Sequence, residues 1–311
     1  MEATSFENLS IINYKGFVKG LRYLPTSIQK YLIRAKFAEL QKLCDVKFDV
    51  VWSFDNSVFY DYSALPKDVL CISHIVDLNQ DFQFELASKS ADLCLCTTSH
   101  ILERQKKYNA NSHNIGHGVN LKEVDVGSFE LNGYNRVKCG YAGNLDIPFI
   151  DWTLVKNLVE KFSGVDFHFV GKWESRKEFR SLLSKPNFFY YGQLHANNLQ
   201  SFYNAVDILL LTYLYQHFPQ QLANPHKMME YLASGRLVVA TWTSEYEELH
   251  NNELIVMSKL KDVFFRDFKN VVDDLSFWNS DQKFKSRRLF AENNSYKIQI
   301  ERIEKLIEDV V

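Results

Sequence analysis

The sequence predicts an α/β protein built from two parallel-sheet, Rossmann-like domains. Three observations carry that prediction. Short apolar runs alternate with amphipathic segments along most of the chain, as parallel strands and their crossover helices do. One helix in that series has both ends written into it: Asn224-Pro225-His226-Lys227-Met228-Met229-Glu230-Tyr231-Leu232-Ala233-Ser234-Gly235, set between apolar runs at 207–211 and 237–241. A polar stretch at 121–135, with Gly127, Asn132 and Gly133, interrupts the series and reads as a linker. A chain of 311 residues also suits two domains.

Composition narrows the function. Hydrophobic residues make up 46% and charged residues 24%, ordinary for a soluble globular chain. The formal net charge of -2 argues against a nucleic-acid partner. The five cysteines are an odd number and form no CxxC. Cys94 and Cys96 alternate onto one strand face and read as buried thiols. With no disulfide framework, a reducing, cytoplasmic setting is expected. No apolar run approaches the roughly 20 residues of a membrane span, and no signal-peptide pattern opens the chain.

The first domain is expected over residues 1–125. A short strand fits 9–12. From Asn8 to Ala38 there is no acid, while Lys15, Lys19, Arg22, Lys30, Arg34 and Lys36 are basic and Tyr14, Phe17, Tyr23 and Tyr31 add apolar bulk. Two readings stand: a surface resting on anionic lipid, or an ordinary solvated helix face. Strands follow at 48–54, 69–73 and 92–97, with helices at 82–91 and 99–108. The second of these strands is expected to stop at His74, with Asp77 just beyond. Both side chains then stand where a general base belongs. Residues 114–120, with Gly116, His117 and Gly118, form a strand running into a Gly-bounded turn.

The second domain is expected over 126–294, followed by a helix at 295–311 that packs back toward the first. Strands at 136–142, 166–170 and 187–191 end in Gly143-Asn144, Gly171-Lys172 and Gly192-Gln193. Glycine at a strand's carboxyl end lets a ligand approach the backbone, and open α/β sheets bind ligands along that edge. Helices fit 148–163 and 199–205. In the capped helix, Asn224 is an N-cap residue type, Pro225 suits the first helical position and Gly235 the left-handed stop. Its first-turn N–H groups would face the sheet's carboxyl edge, a ready site for phosphate. Glu230, one turn further along, would accept hydrogen bonds from a sugar diol.

These residues resemble a known family. Pro225-His226-Lys227-Met228-Met229-Glu230-Tyr231-Leu232-Ala233-Ser234-Gly235 is similar to the donor-site helix of group-1, family-4-like glycosyltransferases with the GT-B fold. Gly140-Tyr141-Ala142-Gly143-Asn144 resembles their first nucleotide-domain loop, 187–192 with 199–211 the segment lining the base pocket, and Gly116–Asn120 the pre-linker turn. The likeness runs over about 48–309 and is nearest the bacterial surface-polysaccharide branch.

The resemblance implies two domains facing across a cleft. It also implies a sugar moved from a UDP- or GDP-linked donor to a glycan or lipid-linked acceptor. The cysteine usage puts this in the cytoplasm, and the lipid reading of the basic segment would add peripheral contact with the plasma membrane's inner face. The His226 and Lys227 N–H groups and the Lys227 ammonium would hold the diphosphate. Glu230 would bind the ribose, Gly143 and Asn144 would approach phosphate or sugar, and the backbone near Gly192-Gln193 would face the base. No cofactor or metal is expected, since no Asp-x-Asp occurs and helix N–H groups with Lys227 would stabilise the leaving diphosphate.

Two features depart from the family pattern. Leu222 stands where many members carry a second Glu, and the first domain reads as shortened. A non-catalytic nucleotide-sugar-binding subunit and, less favoured, a nucleotide-sugar epimerase are therefore alternatives.

Overall fold

A computed structural model describes residues 2–3, 9–12, 20–54, 56, 58–76, 81–121, 128–219 and 221–310. The chain divides into two compact units, Met1–Asn114 with Ile307–Val311 and Ile115–Leu306.

The first unit opens with a two-residue antiparallel pair, β1 (Glu2–Ala3) and β2 (Ser10–Ile11). Its sheet is parallel, with β3 (Val50–Ser53), β4 (Leu70–Ile75), β5 (Leu93–Cys96) and β6 (Ser112–Asn114) side by side in sequence order. All four residues of β5 are buried. A strand covered on both faces needs a continuous apolar run, and Leu-Cys-Leu-Cys supplies one. Cys94 and Cys96 are buried free thiols, as expected. The helix Thr26–Cys44 sends Ile33 and Phe37 into a core with Tyr60, Ala64 and Cys71.

That helix also answers for part of the basic segment. Lys30 lies 3.7 Å from Asp61, Arg34 Nε donates to Ala64 O at 3.1 Å, and Lys36 pairs with Glu39 at 2.7 Å. These contacts favour the solvated-face reading. Lys15, Lys19, Tyr14 and Phe17 lie outside the described residues, as does the side chain of Arg22. Among the described residues no helix is long and apolar enough to cross a membrane.

The second unit holds a six-stranded parallel sheet: β7 (Val137–Ala142), β8 (Val165–Val170), β9 (Phe188–Tyr190), β10 (Ile208–Leu211), β11 (Leu237–Thr241) and β12 (Val256–Ser258). Its order is β12-β11-β10-β7-β8-β9, so strand order reverses between β7 and β10. β10 is buried throughout. Each such leucine contributes about 1.5–3 kcal/mol relative to an exposed one. The helix Trp152–Lys161 starts where Asp151 Oδ1 accepts the Leu154 N–H at 2.9 Å, a cap that stabilises by about 1 kcal/mol.

Several element boundaries move inward. The helix expected at 148–163 is Trp152–Lys161, and the terminal one is Tyr296–Glu308. Two strands extend outward: β8 begins one residue early at Val165, and β4 runs on to Ile75 and takes His74 into its interior. Helices Glu247–Asn251, Lys261–Asp273, Leu275–Trp278 and Asp281–Asn293 fill the stretch before the last helix.

Candidate active site

The switch between β7 and β10 is where an open α/β sheet leaves a crevice at its carboxyl edge. The helix His226–Ala233 follows β10 there. Pro225, with φ -72 and ψ 126, occupies the cap position itself, and no side chain among the described residues caps the helix. This corrects the reading of Asn224 as the cap and Pro225 as the first helical residue. Asn224 Oδ1 instead accepts the Tyr246 hydroxyl at 2.6 Å, which turns it away from the first turn. The start of the helix is thereby left without a side-chain oxygen that would compete with an anion. Gly235 closes the helix at φ +77, as the sequence led one to expect.

The three strand-end glycines come together. Gly143 N donates to Val170 O at 3.0 Å, and Gly171 N donates to Gly192 O at 2.8 Å. Two approaches here leave no room for a Cβ unless a neighbour moves. A Cβ on Gly143 would stand 2.3 Å from Lys227 Cε, and one on Gly171 would stand 1.7 Å from Gly143 O. Lys227 therefore lies flat against the bare backbone at the end of β7. Burial lowers the pKa of its ammonium, and Glu230 pulls it back up.

Behind this surface lies a group of tyrosines that sequence reasoning passed over. Tyr203 Oη donates to Glu230 Oε2 at 2.9 Å. Tyr231 Oη accepts the Ala142 N–H at 2.9 Å, and the Tyr203 and Tyr231 rings meet edge to face at 5.2 Å. Among the described residues the buried Tyr141 hydroxyl makes no hydrogen bond within 3.5 Å, though the Tyr213 hydroxyl is close enough to act on it, and it would lie 3.0 Å from a Cβ on Gly143. Burial pushes the phenols of Tyr141, Tyr203 and Tyr231 well above their ordinary range. They are therefore neutral hydroxyls, able to donate. The available signal was Phe202-Tyr203 on the predicted helix at 199–205, whose polar tip implied a partner.

The remaining candidates fall as follows. His226 is exposed at the helix start, and its ring lies 3.6 Å, centroid to centroid, from that of His117. Asn144 is exposed, with Oδ1 accepting the Asp146 N–H at 3.0 Å. Lys172 pairs with Glu174 at 2.7 Å, and Gln193 is exposed beyond the left-handed Gly192. Leu222 is buried.

His74 does not stand at a strand end. It sits inside β4, with Nδ1 accepting from Trp52 Nε1 at 3.3 Å and the Phe54 ring 4.7 Å away. Burial lowers its pKa to about 4, so it is a neutral packed imidazole. The apolar continuation of β4 through Ile75 is what draws it inward. Asp77 lies outside the described residues.

The arrangement offers an anion site at a helix start, a cation over bare backbone and a carboxylate one turn away. Residues 138–274 match the family model described as glycosyl transferases group 1. A glycosyltransferase from Rickettsia africae ESF-5 superposes with a TM-score of 0.68 at 13% identity, covering 91% of this chain and 82% of that one. Anabaena HepE in complex with UDP-glucose gives 0.64 at 11% identity, over 89% and 82%. The lipopolysaccharide outer core galactosyltransferase WaaB gives 0.63 at 17% identity, over 92% and 82%. At these identities the likeness is one of fold. No curated protein matches the chain in sequence.

Proposed function

We propose, from a chain whose residues 138–274 belong to the group-1 glycosyltransferases and whose fold is GT-B, that this protein moves a sugar from a nucleoside-diphosphate donor to a glycan or lipid-linked acceptor. The observation that carries the reading is the uncapped start of His226–Ala233 with Lys227 laid over Gly143 and Glu230 one turn beyond. The His226 and Lys227 N–H groups and the Lys227 ammonium would take the diphosphate and stabilise its charge as the glycosidic bond breaks. Glu230 would take the ribose hydroxyls. The backbone at Gly143-Asn144 and Gly171-Lys172 would border the phosphates and sugar, and that at Gly192-Gln193 the base. In this reading the leaving group is held without a metal, and the protein works in the cytoplasm, building surface polysaccharide.

The test is a thermal-shift screen of UDP, GDP, ADP, CMP and their sugars, with Glu230→Ala as the control. Ligand at 100 times its dissociation constant stabilises by about 2.7 kcal/mol, a rise of roughly 5–10 °C. One base is expected to give that rise and Glu230→Ala to diminish it. A protein stabilised by no nucleotide would overturn the proposal.

Buried Leu222 favours a second reading, a subunit that binds the nucleotide sugar without transferring the sugar. Donor binding with neither hydrolysis nor transfer, across glycan and lipid-linked acceptors, would select it.

A further inference from the structure

We propose that Tyr203 sets the Glu230 carboxylate for recognition of the ribose hydroxyls, holding it off Lys227. This rests on the nucleotide-donor reading given above.

The geometry is direct. Tyr203 is 3% exposed and donates to Glu230 Oε2 at 2.9 Å. Among the described residues the other oxygen, Oε1, has no hydrogen-bond partner. The phenol is itself held by its surroundings. Its ring packs edge-on against Tyr231, whose hydroxyl is tied to the Ala142 N–H, next to Gly143. A rigid donor behind one oxygen leaves the other aimed outward with its lone pairs available, which a vicinal diol requires.

A competing state explains why such a donor is needed. Lys227 and Glu230 are three residues apart on one helix, the spacing at which a lysine and a glutamate pair. Pairing would occupy both groups the donor needs, the ammonium for phosphate and the carboxylate for ribose. Glu230 does act on the Lys227 charge, yet no ion pair joins the two within 4.0 Å among the described residues. Lys227 lies over Gly143, and the Glu230 carboxylate is drawn toward Tyr203. Tyr203 is thus a positioning residue: it touches the carboxylate, and the carboxylate touches the ligand.

The test compares the nucleoside diphosphate that the wild type binds with its 2′,3′-dideoxy analogue. The wild type is expected to prefer the ribose form by tenfold or more. Tyr203→Phe should lose most of that preference, weakening ribose binding about tenfold and leaving dideoxy binding within twofold. Adding Tyr203→Phe to Glu230→Ala should change the preference no further. A role confined to packing would lower both affinities alike, or neither, and would keep the ratio. Should the Phe variant fail to fold by circular dichroism, Tyr203→Met, which fills part of the space flexibly without the hydroxyl, carries the same expectation. A preserved ratio in a folded variant overturns this inference alone, whereas a wild type that binds no nucleotide overturns the reading beneath it.

Discussion

Gly143 and Gly171 are adjacent at the sheet edge, yet their substitution should fail in different ways. A Cβ on Gly143 would meet the far end of Lys227, at 2.3 Å from Cε and 2.8 Å from Nζ. That side chain is flexible and can swing aside. Gly143→Ala should therefore fold, losing about 1–2 kcal/mol to the strain of a side chain at φ +156, but displace the ammonium and weaken nucleotide binding about tenfold. A Cβ on Gly171 would stand 1.7 Å from Gly143 O, a backbone atom with nowhere to go. Gly171→Ala should lose more than about 2 kcal/mol, because strand ends must part. Urea unfolding and nucleotide titration of the pair check this. Equal stability losses would show that Lys227 is not what Gly143 makes room for. The glycines were legible in the sequence as strand ends. Their mutual contact was not, because it joins residues from adjacent strands.

At the scale of the element, the helix His226–Ala233 depends on a residue far along the chain. Arg287, fully buried, donates from Nη1 to Gly235 O at 3.1 Å, from Nε to Leu254 O at 2.6 Å and from Nη2 to Trp278 O. Burial lowers its guanidinium to about 10, and the bonds named here are to main-chain carbonyls rather than to a carboxylate. The planar fork thus satisfies carbonyls just past the end of His226–Ala233, in the loop before β12 and at the end of the helix Leu275–Trp278. Arg287→Met would fill much of the volume but leave those carbonyls buried and unpaired. Each unpaired group costs about 1–3 kcal/mol, so the total loss should be at least about 3 kcal/mol. Arg287→Lys should recover only part of it, since one ammonium cannot reach acceptors spread along a fork. Denaturant midpoints for the two variants decide the matter, and a Lys variant equal to wild type would refute the fork argument. The helix itself was readable from Pro225 and Gly235, both of which restrict the backbone locally. Its cap was misread because Asn224 answers to Tyr246, 22 residues away, and helix-cap patterns cannot register such a partner.

At the scale of the whole molecule, two imidazoles are buried among the described residues, one in each compact unit, and both weaken the fold as pH falls. His74 lies in β4 of the first unit and His168 in β8 of the second, and among the described residues neither buried Nε2 has a hydrogen-bond partner. Burial lowers His74 to about 4, and burial with the nearby Lys138 lowers His168 to about 3. In the unfolded chain both titrate near 6.5. Between pH 6.5 and about 4 the unfolded state therefore binds more protons than the folded one, and stability falls as pH falls. At pH 5 each neutral imidazole lowers stability by about 2 kcal/mol relative to pH 7. The alternation of strands and helices showed two parallel sheets from sequence alone, because burial on both faces demands continuous apolar runs. It could not show that His74 is a core residue rather than a base, since a histidine one position past an apolar run reads as its end. The prediction separates these meanings. His74→Gln and His168→Gln should each lose about 2 kcal/mol less than wild type when urea unfolding is moved from pH 7 to pH 5. A His74 variant that follows the wild-type slope would mean that the imidazole already takes up a proton in the folded state, which would restore it as a candidate for proton transfer.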